Sequence, residues 1–160
     1  MHNVVSNTTP ILNLLKIGKL DLLRELYGKV KISHAVYREI ESGKDRDYYI
    51  DITKLDWIEI TPIQSSSARL YLFDLDDGEA ETIILAQEQA ADIAIIDEKL
   101  GRRYAAQLNI KITGTLGILL KAKERKLIRA IAPLLQELRD KSSWIDDSLF
   151  EKTLRLAGEL

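Results

Sequence analysis

Several residues near predicted strand ends or helix starts could supply oxygen ligands to a metal ion. Residues 94–96 (Ala-Ile-Ile) form an apolar run that ends directly on Asp97 and Glu98. The others are an amide after the first apolar run, an acid within a predicted helix and two acids at a helix start: Asn7, Glu39, Glu79 and Glu81. Mg²⁺ and Mn²⁺ prefer oxygen ligands, often one or two carboxylates completed by water and phosphate. A cation held here could activate a water molecule and stabilise the transition state of phosphodiester hydrolysis.

Each of these acids also has a structural interpretation. Glu39 could be a solvated acid on a helix surface, and Asp97 could cap the helix that follows it. Glu79 and Glu81 lie where a helix begins, and the helix dipole favours negative charge there. Because they are two positions apart, these two side chains cannot both point the same way from one helix. The spacing places three of these groups next to parallel-strand ends or helix starts, and their convergence is a prediction about the fold.

A basic segment follows the two acids. Its cations could contact a phosphate backbone, or they could form a solvated helix face and pair with Glu98. They are Lys99, Arg102 and Arg103. Residues 113–117 (Thr-Gly-Thr-Leu-Gly) lack the Lys-Ser/Thr ending of a phosphate-binding loop, so they are better interpreted as a strand-to-helix turn.

The composition restricts the class of protein. A chain of 160 residues favours a single domain, and a net charge of −2 means that any nucleic-acid contact needs a local basic patch. The absence of cysteine excludes disulfides and thiolate metal sites and suits a reducing cytoplasm, where we expect the protein. Two histidines argue against a histidine-rich zinc site. The first residues lack a signal-peptide pattern, and no apolar run approaches the about 20 residues that span a membrane, so we expect no membrane contact.

Short apolar runs alternate with helix-like segments along most of the chain. Predicted strands cover residues 4–6, 30–32, 57–61, 93–96 and 110–113. The alternation predicts an α/β fold whose central, mainly parallel sheet is covered by helices on both faces. Three serines at 65–67 are expected to cap a short helix over residues 68–73. We expect one domain over residues 1–160, with a core at about 3–140 and a helical appendage at 141–160 that could pack on a second copy of the chain.

Five short motifs, taken in order, resemble the PIN-domain superfamily. They lie at residues 4–10 (Val-Val-Ser-Asn-Thr-Thr-Pro), 35–40, 77–81 (Asp-Gly-Glu-Ala-Glu), 95–103 and 113–117. The resemblance is to the DUF3368 branch, related to the VapC-type toxins, and it covers residues from about 3 to 140. It implies a PIN-like three-layer α/β/α fold and an endoribonuclease dependent on Mg²⁺ or Mn²⁺. It further implies RNA as substrate, a homodimer, and often the toxin role in a toxin–antitoxin pair.

The resemblance assigns the site residue by residue. The first acid of the family falls on Asn7, the second on Glu39 and the last on Asp97, with Glu98 beside it. The third falls on one of the two acids at the helix start. The apolar register that follows favours Glu81, whereas the Gly-Glu pair favours Glu79.

The two residues that directly follow the first strand, Asn7 and Thr8, bear on this assignment in different ways. Thr8 matches the small hydroxyl residue after the first acid of the family and joins the predicted RNA contacts. Asn7 stands where active nucleases of the superfamily have aspartate, and its neutral carbonyl oxygen binds a hard cation less well and cannot act as a base. Asn7 therefore keeps a second hypothesis open, a PIN-fold module that binds RNA or a protein without cutting.

Overall fold

The computed structural model describes residues 2–142 and 144–160, and its central layer is a five-stranded sheet. Met1 and Ser143, which fall within the predicted domain, lie outside the described residues. The strands are β1 (Val4–Ser6), β2 (Val30–Ile32), β3 (Ile58–Ile60), β4 (Ile93–Ile95) and β5 (Ile112–Thr113). They are all parallel and lie in the order β3-β2-β1-β4-β5. The predicted strands are therefore confirmed, with β3, β4 and β5 shorter than expected.

Helices connect and follow these strands. In the described residues they are α1 (Thr8–Lys16), α2 (Asp21–Tyr27), α3 (His34–Glu41), α4 (Asp77–Glu88), α5 (Lys99–Gln107), α6 (Thr115–Glu124), α7 (Ala132–Lys141) and α8 (Asp147–Leu156). Local chemistry sets several of their ends. Ser33 and Asp76 accept hydrogen bonds from the first turns of α3 and α4, and Asn109 follows α5 in the left-handed region at φ 58°. The short helix expected at 68–73 is instead a 3₁₀ segment at Ser66–Leu72.

Successive strand residues face two different hydrophobic layers. In β1, Val4 packs into the larger cluster with Leu14, Leu23 and Leu119, while Val5 packs into the smaller one. The smaller cluster covers the other face and includes Ile83, Leu85 and Ala105. This alternation with a period of two places helices on both faces of the sheet. The predicted three-layer α/β/α arrangement with a parallel sheet is confirmed.

The chain reverses its direction of travel across the sheet between β1 and β4. It steps from β1 outward to β2 and β3, then returns to build β4 on the other side of β1. Ser6 pairs with Ile95, so the carboxyl ends of β1 and β4 lie side by side. Open α/β sheets bind ligands at such a switch point. Asn7 and Asp97 follow these two strands within two residues and therefore reach the same crevice.

The C-terminal residues pack on the larger core. Ile145 and Leu154 are buried within it at 4% and 8% exposure. Glu159 accepts hydrogen bonds from the backbone N–H groups of Ile131 and Ala132 and from the Lys123 ammonium. Among residues 2–142 and 144–160, no helix has the length and hydrophobicity needed to cross a membrane.

Candidate functional site

Asn7 and Glu98 meet across the crevice between β1 and β4. Asn7 is 2% exposed, and its Nδ2 donates to Oε2 of Glu98 at 3.1 Å. The Thr9 hydroxyl donates to the other carboxylate oxygen of Glu98. The Asn7 Oδ1 atom is buried and has no hydrogen-bond partner among the described residues. An orphaned carbonyl oxygen in a crevice is costly, so it points to a partner such as a cation or water.

Asp97 is held by the start of α6 and by α1. Its Oδ1 accepts from the Thr115 backbone N–H at 2.7 Å, and its Oδ2 accepts from the Thr115 hydroxyl at 2.6 Å. Asn13, buried in α1, donates to the same Oδ2 at 3.1 Å. The alternative in which Asp97 caps the helix that follows it is therefore wrong, because this carboxylate caps α6. Three donors fix its orientation at the carboxyl end of the sheet.

Glu39 is tied to the first helical turns of α1 and α4. Its Oε1 accepts from the Thr8 hydroxyl at 2.5 Å, and its Oε2 accepts from the Gly78 N–H at 2.9 Å. Burial raises the pKa of Glu39, and the charges of Asp76 and Asp77 act in the same direction, against the two hydrogen bonds. Glu39 is thus a half-buried, oriented carboxylate, and the solvated-acid interpretation is wrong.

Glu79 and Glu81 point to different elements, as their spacing requires. Glu81 accepts from the Ala35 N–H at 3.1 Å and so caps the start of α3. Glu79 faces α5, where its Oε2 lies 3.4 Å from the position that a Cβ on Gly101 would occupy. Burial raises the pKa of Glu79 to about 7, helped by Asp76 and by the charge of Glu98. Glu79 therefore lies close enough to Glu98 for the charge of Glu98 to raise its pKa.

A glycine lies directly against the carboxylate of two of the candidate acids. A Cβ on Gly78 would overlap the Glu39 carboxylate, and a Cβ on Gly114 would lie 2.5 Å from Oδ1 of Asp97. Gly101 differs, because its Cβ would lie 3.0 Å from the Ile96 Cγ2 and at an ordinary contact distance of 3.4 Å from the Glu79 Oε2. Gly78 and Gly114 therefore permit the close approach of a carboxylate to the backbone. They account for one glycine in each of the motifs at 77–81 and 113–117.

The donor set fits a hard divalent cation in its chemistry. It consists of carboxylate and amide oxygens, and it includes the orphaned Asn7 oxygen and the mutually repelling Glu79 and Glu98. Within residues 2–142 and 144–160, no three acids or histidines stand close enough to share one ion. The acids that the structure brings to one edge are Asp97, Glu98, Glu79 and Glu39, and Glu81 is turned towards α3.

The side chains predicted to contact RNA differ in their exposure to solvent. Lys99 and Arg103 are exposed on α5, where a phosphate backbone can reach them. Arg102 is half-buried and donates through Nη1 to the Ile96 carbonyl at 3.1 Å. Thr8 is 7% exposed, and its hydroxyl is used by Glu39, so the structure gives it an orienting contact within the protein.

Asn13, Thr9 and Thr115 were not among the sequence candidates, although each donates to Asp97 or Glu98. Asn13 carried a detectable signal, because it interrupts an apolar helix as Leu-Asn-Leu-Leu. A polar residue on a core-facing side of a helix needs a buried partner. The two threonines carried no such signal, since hydroxyl residues are common at helix starts.

Gly78→Ala tests the contact between Gly78 and Glu39. We expect this substitution to displace the flexible end of Glu39 and to weaken Mn²⁺ binding about tenfold. The free energy of unfolding should stay within about 1 kcal/mol of wild type, because alanine is the better helix former. Isothermal titration calorimetry and urea unfolding measure the two effects. Gly43→Ala, whose Cβ would meet only ordinary contacts at 3.6 Å, is the control, and equal affinities for all three proteins would contradict the assignment.

The raised pKa of Glu79 predicts a pH-dependent stability in EDTA. The pKa of Glu79 is 4.5 in the unfolded chain and about 7 in the folded protein, so the folded state binds this proton more tightly. The stabilising effect of this proton is complete below pH 4.5 and is lost as the pH rises through about 7. Urea unfolding across this range should show a steeper loss for wild type than for Glu79→Gln. If the free energy of unfolding falls with pH equally in the two proteins, the raised pKa of Glu79 is refuted.

Comparison with known proteins identifies the family. No curated protein matches the chain significantly. A family model described as DUF3368, PIN domain, matches residues 3–159. PIN domains are generally nucleases, and nucleases of this fold typically use divalent metals. The match covers nearly the whole chain and agrees with the parallel α/β sheet and with the motifs around its carboxyl edge, so this chain belongs to the DUF3368 family of PIN domains.

Proposed function

We propose that this chain is an endoribonuclease that depends on Mg²⁺ or Mn²⁺. The observation that carries the proposal is the pair formed by Asn7 and Glu98 at the switch point of the sheet. The Asn7 Oδ1 is buried there and lacks a partner in the part of the chain that the structure describes. Glu79 lies close enough for the charge of Glu98 to raise its pKa. Both the oxygen ligands and the excess negative charge of this site favour the binding of a cation.

The residues that would hold the cation are Asn7, Glu79 and Glu98, with Asp97 and Glu39 beside them. A bound divalent ion supplies an activated water and offsets negative charge on the phosphodiester. The protein's own contribution is to fix its carboxylates before substrate arrives. Asp97 is oriented by Thr115 and Asn13, and Glu39 by Thr8 and the Gly78 N–H.

The cations of α5 would position the RNA. Lys99 and Arg103 are exposed on the same helix that begins directly after Glu98. Charged side chains of this kind contact the phosphate backbone without reading sequence. They give a chain of net charge −2 the local positive charge that RNA binding needs.

Glu98 compensates for the missing first acid. With aspartate at position 7, a carboxylate would replace the amide that now lies 3.1 Å from Glu98, and the two like charges would repel each other. The asparagine amide donates to Glu98 instead, so the site keeps one acid and one carbonyl oxygen at this point. In this account the site retains its negative charge in Glu98, the residue next to Asp97.

A cleavage assay tests the ribonuclease proposal. Purified protein should cut a mixed single-stranded RNA in Mn²⁺ and not in EDTA, and Glu79→Gln should lower the rate by more than about 100-fold. Glu81→Gln is the matched control, since a glutamine oxygen can still accept from Ala35, and we expect near wild-type cleavage. A large loss in Glu81→Gln alone would reverse the choice of ligand. If wild type cuts no RNA in Mn²⁺ and Asp97→Ala behaves identically, the proposal fails.

A non-catalytic module that binds RNA or a protein is the second candidate. It is favoured by the neutral Asn7 and by the absence, among the described residues, of three acids close enough to share an ion. Calorimetry with Mn²⁺ on wild type and Asn7→Asp separates the two candidates. The nuclease proposal predicts binding by wild type, tightened in Asn7→Asp at the expense of stability in EDTA. Binding that appears only in Asn7→Asp would favour the non-catalytic module.

We extend the proposal to a toxin that is neutralised by an antitoxin protein and that acts as a homodimer. The support is the resemblance of the motifs to the relatives of VapC-type toxins. Expression in a bacterial host should then arrest growth for wild type and for Glu81→Gln, and not for Glu79→Gln. Unimpaired growth with active enzyme would remove the toxin role while leaving the nuclease proposal in place.

A further inference from the structure

A cavity of about 310 Å³ adjoins Asp97 on the side of α6 and the C-terminal segment. Its lining includes Asp97, Arg102, Gly114, Gly117 and Trp144. The volume lies at the small end of ligand pockets, which suits one nucleotide and not a duplex. Gly114 leaves room beside these side chains, because a Cβ there would lie 2.5 Å from the Asp97 carboxylate and 3.0 Å from Arg102 Nη1.

Trp144 is placed unlike the other tryptophan of the chain. Trp57 is 6% exposed within the core, whereas Trp144 is 41% exposed in the segment between α7 and α8. An indole left in solvent forgoes a large gain from burial. An exposed tryptophan at a cavity that also holds an arginine is the kind of surface on which unpaired bases stack.

Arg102 supplies the cavity with a fixed positive charge. Its Nη1 donates to the Ile96 carbonyl, and a guanidinium has further N–H groups that can donate. Arg102 forms no salt bridge with an acid in the portion of the chain that the structure describes. A half-buried guanidinium without an acidic partner is suited to a phosphate, which it can bind in a bidentate manner.

We propose that this cavity is a nucleotide subsite for single-stranded RNA. The indole of Trp144 stacks on one unpaired base, and Arg102 holds a neighbouring phosphate, which places the adjoining backbone beside Asp97. The inference rests on the proposed function for its substrate class. The guanidinium of Arg102 suits a phosphate and the exposed Trp144 suits an unpaired base, and this pair favours a nucleotide over a protein segment.

Binding of a short fluorescein-labelled RNA, followed by anisotropy in EDTA, tests the subsite without cleavage. Trp144→Leu keeps an apolar side chain but has no aromatic face, so we expect about tenfold weaker binding. Trp144→Phe keeps a ring and should stay within about threefold of wild type. Phe73→Leu, at an exposed aromatic outside the cavity lining, is the matched control and should bind as wild type.

An abasic oligonucleotide of equal length separates base stacking from phosphate contact. It should bind wild type and Trp144→Leu equally. In a Trp57→Phe background, Trp144 is the only indole, and its emission should be quenched by RNA and not by the abasic strand. The anisotropy series does not depend on the folding of this background.

The proposal is overturned if wild type does not bind the RNA, or if Trp144→Leu binds it as wild type does. Equal weakening in Trp144→Leu and Trp144→Phe would mean a packing role and would also overturn it. Indole emission that responds to protein concentration and not to RNA would indicate self-association instead. Binding that depends on Trp144, in a protein that cuts nothing in Mn²⁺, would uphold the subsite and refute the nuclease; cleavage without this dependence would do the reverse.

Discussion

The structure depends on keeping several carboxylates together at one edge of a parallel sheet. Like charges at short range repel each other, and burial adds a cost for each ionised group. Neutral hydrogen-bond donors placed beside the acids offset this cost. Asn7 and Thr9 donate to Glu98, Asn13 and Thr115 donate to Asp97, and Thr8 donates to Glu39. Three of these donors, Thr8, Thr9 and Asn13, come from α1, so this helix supports Glu39, Glu98 and Asp97.

The neutral donors do not offset the cost of burying every polar group at this edge of the sheet. Glu79 keeps a pKa raised to about 7, and the Asn7 Oδ1 finds no partner within the described residues. Both features are costs to the fold that a divalent cation would relieve. Local destabilisation at the switch point of an α/β sheet is expected where a ligand binds.

Much of the fold was predictable because its signals are local. Short segments rich in β-branched residues, such as 4–6 (Val-Val-Ser) and 30–32 (Val-Lys-Ile), predict strands, and Ser33 predicts the start of α3. The role of Asp97 was not predictable, since its partner Thr115 lies 18 positions away and the contact depends on how β5 docks beside β4. The choice between Glu79 and Glu81 is also tertiary, because it depends on which neighbouring helix each acid faces. Helical periodicity could show only that they diverge.

The C-terminal segment illustrates the same limit. Its short helices carry periodicity but no sign of where they pack, and the structure places Ile145 and Leu154 in the larger core. The same packing brings Trp144 to the cavity beside Asp97. No spacing rule connects residues 97 and 144, so only the folded chain shows that they line one cavity.

Anomalous diffraction from crystals grown with Mn²⁺ would test the central claim most directly. Our account predicts an anomalous peak within ligand distance of the Asn7 Oδ1 and of a Glu98 or Glu79 carboxylate oxygen. A peak bound by Glu81 instead, or a fully occupied manganese site away from β1 and β4, would contradict it. An ordered crevice with no peak at saturating Mn²⁺ would contradict it equally.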